Sequence, residues 1–481
     1  MSKLRSFINP NINKSDAQRN SVRSIHPFIM MVILLLFFFV LSYIVPAGQY
    51  ERIMTEEGTA LIDPDSFMYI QRTPVSVAQL LLSVTLGLQR GSSIIFFLLI
   101  IGGMFSVLNS TSAISVSIAN VLKRLGKKQF LIVPLLMIFF GCGSAFCGNF
   151  EEFLVFIPLI LAICITIGYD SLTAVGIVFL SAAVGYGGSI TNSFTVGTAQ
   201  EIAGLPRFSG MDLRIVLFIV LLSVSIIYVL WYSRIVKKTP KYSSVYEFDA
   251  KYNQNKKLDL EKVNALSPRQ TLVLTVFIGG IVFSVWGIIT QGFYVDELAA
   301  IFLAIGVIGG FIGGLKPSEI CKGFEKGFKD MILPAIMIGL ANSIIVILED
   351  ANVMDIFLHT LASGLDKFPP GLMACGMFFA HSVFNVVIPS GSAQAKATIP
   401  LMVPIADSIG ITRQTAVLAY QLGDAFTNVL APTGGEILAA LAICRIPFGK
   451  WLRFLIPIFV IWCIIALIFL VYATQTAYGP M

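Results

Sequence analysis

The 481-residue chain is 56% hydrophobic and only 12% charged, with a mean hydropathy of +0.84 and a net charge of +6. That composition lies outside the range of soluble domains and inside that of polytopic membrane proteins. The charge gathers in a few polar segments without a basic stripe, so it carries topology and no nucleic-acid partner is expected.

A basic leader (residues 1–27, with Lys3, Arg5, Lys14, Arg19 and Arg23) precedes an apolar run at about 28–46. The run is too long for a signal-peptide core, so it reads as a first membrane helix leaving a cytoplasmic N-terminus. The acidic loop at 49–74 then lies outside. A segment at 75–90, a span at about 92–108 and a Ser/Ala-rich helix follow, and the last ends in the basic knot Lys123–Lys128.

Residues 129–169 place two apolar arms around "GCGSAFCGNFEE" (Gly141–Glu152). Each arm is short for a crossing at 1.5 Å per residue, which predicts a re-entrant hairpin. The stretch 171–204 is interrupted at "GYGGSITNSFTVG" (Gly185–Gly197) and reads as a discontinuous helix. A span at about 212–232 closes a first repeat (28–233), and the polar, basic segment 234–269 is a cytoplasmic linker.

The second repeat (270–481) follows the same plan. Spans are predicted near 270–289, 297–313 and 331–349, a hairpin near 370–407, a broken helix at 412–444 and a last span at 452–473. Lys316–Lys329 reads as a basic cytoplasmic loop. Pro158, Gly168 and Thr173 match Pro400, Gly410 and Thr415 at a spacing of 242. Gly87, Gly91 and Gly103 match Gly323, Gly327 and Gly339 at 236, as Thr191-Asn192 matches Thr427-Asn428. The extra span near 270–289 inverts the second half. The fold class is therefore an all-α polytopic membrane protein of two inverted repeats, the pattern of alternating-access transporters.

Two hairpin tips and two helix breaks supply the candidate site: Asn149, Glu151 and Glu152; Ser189, Asn192 and Thr195; Ser390, Gly391 and Ser392; and Asp424, Thr427, Asn428 and Thr433. Half-helix N-termini offer N–H groups to carboxylates, while Ser, Thr and Asn oxygens suit a hard cation, so Na+ is expected, if anywhere, near Asn192 and Asn428. A carboxylate at mid-membrane costs roughly 2.5–3.5 kcal/mol. Glu151 and Glu152 therefore point to a cationic substrate group or a proton, with an interfacial or internally capped pair as the bland alternative. Adjacent helical positions diverge by about 100°, so one of the two is expected to face the site. Lys396 can bind a substrate carboxylate, replace a coupling cation or neutralise Asp424. Asp424 and Glu436 can also be capping carboxylates, and His381 reads as a packing histidine. The seven cysteines, odd in number, give neither a disulfide framework nor zinc spacing. No G-x-S-x-G, H-E-x-x-H or Walker A motif supports an enzyme.

"NVVIPSGSAQAKATIPLMVPIADSIGITRQTAVLAYQLGDAFTNVLAPTGG", "NSFTVGTAQEIAGLPRFSG" and "IPFGKWLRF" resemble the YfcC-like branch of the C4-dicarboxylate anaerobic carrier family, within the ion transporter superfamily. The resemblance implies an inner-membrane secondary transporter and a homodimer whose hairpins and broken helices move as an elevator against fixed scaffold helices. It implies no cofactor beyond a coupling Na+ or H+. The expected substrate is an amino acid, basic ones such as arginine or ornithine first, with a C4-dicarboxylate as the alternative. Lys396 departs from the small or apolar residue expected there.

Overall fold

The computed structural model describes residues 27–54, 60–148, 150–253, 265–291, 293–365, 369 and 372–480. The leader, residues 254–264 of the linker and Asn149 lie outside the described residues. Among those described, eight helices are long and apolar enough to cross a membrane. They are Ser92–Ser110, Ala113–Cys147, Ser171–Ile202, Met211–Lys238, Pro268–Ile288, Val295–Ile312, Pro317–Asp350 and Phe448–Gln475. Phe28–Ile44, Met373–Val387 and Gly435–Cys444 are shorter apolar helices.

The observed elements differ from expectation where polar sequence hides helix. Lys316–Lys329 is not a loop: Pro317 opens a 34-residue helix, and Glu319 Oε2 reaches back to accept from Lys316 N at 2.7 Å. The basic knot likewise lies inside a helical run, where Gly126 at φ 48° turns Ala113–Leu125 into Gly126–Leu131 and Ile132–Cys147. The acidic loop forms two short antiparallel strand pairs, one nested within the other in sequence, Ala47–Gln49 with Met68–Ile70 and Arg52–Met54 with Ala60–Ile62.

Those strand pairs are bolted to the helix Met354–Leu365. Arg52 donates to both oxygens of Asp355 at 2.8 Å, and Tyr50 N donates to Oδ2 at 2.9 Å. Because Asp355 is buried, Asp355→Ala leaves a backbone donor unpaired and costs roughly 2 kcal/mol, read as a lower melting temperature of the purified protein.

At the other end the linker is docked, not free. Asp170 caps Ser171–Val175 by accepting from Thr173 N, and also accepts from the Tyr232 and Ser243 hydroxyls at 2.6 Å. Within the linker helix Tyr246–Tyr252, Asp249 accepts from Ser171 N at 2.9 Å. Asn253 ties Asp249 to the Cys444 carbonyl, at 2.8 and 3.0 Å. The linker thus clamps the start of one broken helix to the end of the other. Burial and then the Asp170 charge push the Asp249 carboxyl up to about 6. A carboxyl held above its unfolded value binds its proton more tightly in the fold, so stability falls as pH rises from about 4 to about 6. Asp249→Asn removes that slope, worth up to about 3 kcal/mol, in melting curves taken across the window.

The core is one large apolar cluster with a smaller second one around Val196, Ala199, Ile399 and Tyr420. Ser171–Ile202 is its innermost span, with 94% of its most apolar stretch buried. The last helix locks to Met211–Lys238 through Trp462 Nε1 donating to Ser225 Oγ at 2.9 Å and Tyr228 Oη donating to the Phe454 carbonyl at 2.5 Å.

Candidate functional site

Four backbone irregularities converge on one cleft. Ile132–Cys147 ends at Gly148 in left-handed backbone (φ 78°), and the 3-10 turn Glu151–Phe156 and the helix Ile157–Ile167 follow. Ser181–Gly188 ends at Ser189, a non-glycine residue at φ 40°, and helical structure resumes at Ser193. Met373–Val387 ends before Pro389, and Ser390 in extended backbone leads into Gly391–Ile409. Finally, Arg413–Thr427 gives way to an irregular stretch before Gly435–Cys444.

Polar side chains fasten these breaks. Asn192 caps the resumed turn by accepting from Phe194 N (2.9 Å) and Thr195 N (3.3 Å), and the Ser189 and Thr195 hydroxyls bond at 2.8 Å. Thr191 N donates to the Ala145 carbonyl at 3.2 Å, joining the first break to the first hairpin. In the second half, Asn385 Nδ2 donates to Asn428 Oδ1 at 2.6 Å and to the Asp424 carbonyl at 2.7 Å. Trp451 Nε1 donates to the Val429 carbonyl at 2.8 Å, satisfying unwound backbone at the second break. Tyr420 Oη donates to the Gly391 carbonyl at 2.6 Å and holds the second tip down.

Between the tips lies a cleft with about 610 Å³ of empty space, counting its mouth. The first hairpin contributes Gly148, Phe150, Glu151 and Glu152, and the second contributes Pro389 to Ser392. Asn428 and Glu436 come from the second break, Tyr186 and Phe194 flank the first, and Tyr294 reaches in from the turn before Val295–Ile312. Glu151 and Glu436 lie near enough to bear on each other with like charge, and an ammonium or guanidinium group between them relieves that repulsion. Glu152 Oε2 accepts from Phe150 N at 3.1 Å. Phe194 and Tyr294 face each other at 5.8 Å and form an aromatic edge to the mouth.

Of the residues singled out from sequence, Glu151, Glu152, Ser390, Gly391, Ser392 and Asn428 line this cleft. Both glutamates do so, where helical divergence predicts one: they are the first two residues of the tip's turn, so the cleft meets the end of that element rather than one of its faces. Ser189, Asn192, Thr195, Asp424, Thr427 and Thr433 are buried and do not line it. The oxygens of Asn192 and Asn428, expected near Na+, already accept hydrogen bonds. Among the described residues Lys396 neither lines the cleft nor pairs with Asp424. His381 is wholly buried and stacks edge-on against Phe384 and Tyr420. Tyr186, Phe194, Phe150 and Tyr294 escape the sequence reading. "GYGG" at Gly185–Gly188 signals Tyr186, but nothing local signals Tyr294.

The model of the C4-dicarboxylate anaerobic carrier family matches residues 26–475. A relative from Escherichia coli K12 named "Putative basic amino acid antiporter YfcC" is 33% identical over 383 residues, 77% of this chain and 75% of that one. An uncharacterized protein of Haemophilus influenzae Rd is 28% identical over 396 residues, 82% and 78% of the two chains. Solved structures of the Alcanivorax borkumensis YdaH transporter and Neisseria gonorrhoeae MtrF align at TM-scores of 0.42 and 0.41, with 14% and 15% identity. Both cover 95% of this chain, and the alignments take in 100% and 97% of theirs. With a helical membrane architecture and a family match over nearly its whole length, the chain is a multi-pass membrane transporter that belongs to the C4-dicarboxylate anaerobic carrier family.

Proposed function

We propose that this transporter exchanges basic amino acids such as arginine and ornithine across the inner membrane. One observation carries the reading: the cleft is lined by three carboxyls, Glu151, Glu152 and Glu436, and by no Lys or Arg among its described residues. A dianionic dicarboxylate entering such a cleft meets like charge, whereas a guanidinium finds hydrogen-bonding partners. In this reading the acidic residues meet the substrate cation. The backbone N–H groups at Gly391 and Ser392, with Asn428, meet its carboxylate. The buried Ser189, Asn192 and Thr195 hold the first break in shape through their hydrogen bonds. The name of the E. coli relative points the same way, and the family description names the competitor.

Elevator-type alternating access of two inverted repeats (28–233 and 270–481) is the mechanism we assign, in a homodimer with cytoplasmic leader and linker. Repeated contacts support the symmetry. A Cβ on Gly185 would lie 2.3 Å from the Gly141 carbonyl oxygen, and one on Gly423 would lie 2.8 Å from that of Phe378. Each helix therefore presses its glycine on a hairpin arm, and the second pair falls 238 and 237 positions after the first. The long helices Ser92–Ser110 and Pro317–Asp350, crossed at Gly102 and Gly327, are the natural fixed scaffold.

Counterflow in proteoliposomes tests the substrate. Liposomes loaded with unlabelled arginine are expected to accumulate labelled arginine and ornithine. Robust succinate exchange without amino acid exchange would sink the proposal in favour of the dicarboxylate reading.

A further inference from the structure

We propose that Asp424 is a proton-carrying site, set directly beneath Gly391 of the second hairpin tip, and that its protonation is required for that tip to close. The proposal rests on the transporter reading but is tested without a substrate. Asp424 lies inside Arg413–Thr427 with no exposed surface, and neither carboxyl oxygen has a hydrogen-bond partner among the described residues. It is aimed at the tip. A Cβ on Gly391 would come within 3.1 Å of Asp424 Oδ2 and 2.9 Å of the Tyr186 hydroxyl. Only glycine lets the tip sit so low, and the Tyr420 hydroxyl on the Gly391 carbonyl keeps it there.

Among the described residues no cation pairs with this carboxyl. Tyr186 approaches from Ser181–Gly188, and Tyr420 lies one turn earlier on Asp424's own helix. His381 on Met373–Val387 lies against Gly423 and Tyr420 and contributes no hydrogen bond to Asp424. Lys396 on Gly391–Ile409 makes no contact with it, and the charged group that does bear on it, Glu436, has the same sign. A carboxylate sealed away from water with no partner is far less stable than the acid.

A metal cation fits poorly. Hard cations need a shell of several oxygens. Here Thr195 turns its methyl to Gly391 while its hydroxyl bonds Ser189, and the Gly391 carbonyl is taken by Tyr420. A proton needs one acceptor, and the neighbouring Tyr186 hydroxyl can take up the acid's hydrogen bond. When the tip lifts, Asp424 meets water through the Pro389–Ser392 side of the cleft and can release its proton to it. It takes one from water before the tip closes again, so each closure carries one proton and no other bond changes.

The test is the melting temperature of the purified full-length protein, with and without sodium chloride, between about pH 5 and about pH 9. As pH rises, the parent is expected to lose several degrees relative to Asp424→Asn, because only the parent keeps in the fold a proton that its unfolded chain releases. Asp424→Glu should follow the parent. Parallel curves for parent and Asp424→Asn would overturn the proposal, as would a sodium-dependent gain present only in the parent, which marks a sodium site. If Asp424→Asn does not fold, infrared spectra of the parent and Asp424→Glu decide. A buried carboxylic acid C=O band that persists at neutral pH and shifts in Asp424→Glu is expected, and its absence overturns the assignment. Failure of arginine counterflow leaves these readouts standing, so the two proposals fail separately.

Discussion

Glu151→Gln is expected to lower arginine counterflow about ten- to a hundred-fold, and Glu436→Gln by a similar factor. A hydrogen bond to a charged partner contributes about 1.5–3 kcal/mol, which spans that range when one carboxylate is neutralised. The two residues approach one another across the cleft from different halves of the chain, one on the first tip and one in the first turn of Gly435–Cys444. Glu152→Gln should cost less, since Glu152 Oε2 is already engaged by Phe150 N. None of the three should melt below the parent, because each removes a carboxyl from a crowded acidic cleft. Equal activity of Glu151→Gln and parent would mean that the acidic lining does not bind the substrate cation. A melting temperature well below the parent's would instead mean that Glu151 is a structural partner.

The positions of the tips and breaks were legible because irregular backbone inside a membrane has to be written locally. Proline, glycine and Asn caps must sit where the helix stops. "GCGSAFCGNFEE" and "VVIPSGS" therefore announce their own reversals, and Thr191-Asn192 and Thr427-Asn428 announce the breaks. What was not legible depends on which face of a regular element a residue occupies, or on a distant partner. Lys396 stands five residues beyond Gly391, about 140° round the helix from it, so closeness in sequence to the tip does not bring it to the cleft. Tyr294 enters from a turn between two spans and reaches the mouth only through the packing of Val295–Ile312 on Ser92–Ser110. The helix at Lys316–Lys329 was masked because a basic count reports the side of the membrane and not the backbone conformation. The three-residue strands of the acidic loop are too short to show any periodicity.

Gly327→Ala is the substitution expected to damage the fold most for its size. A Cβ there would lie 2.2 Å from the carbonyl oxygen of Gly102, 2.4 Å from its carbonyl carbon and 2.5 Å from the Gly103 Cα. All three are backbone atoms, so no change of rotamer relieves the clash, and the two long helices must separate along their crossing. In a membrane, helix association rests on such close packing, with little hydrophobic drive to compensate. Overpacking of this kind costs about 1–3 kcal/mol or more, read as a lower melting temperature and a loss of monodisperse protein. Gly279→Ala is the matched control, a helical glycine with nothing within 4 Å of the added Cβ. It is expected to be neutral or to stabilise by up to about 1 kcal/mol through its better helix propensity. The crossing lies away from the acidic cleft, so the fraction of Gly327→Ala that still folds should keep the parent's KM for arginine while its turnover falls. A Gly327→Ala protein that melts with the parent would show that the helices do not meet at this crossing and would remove the fixed scaffold from the proposed mechanism.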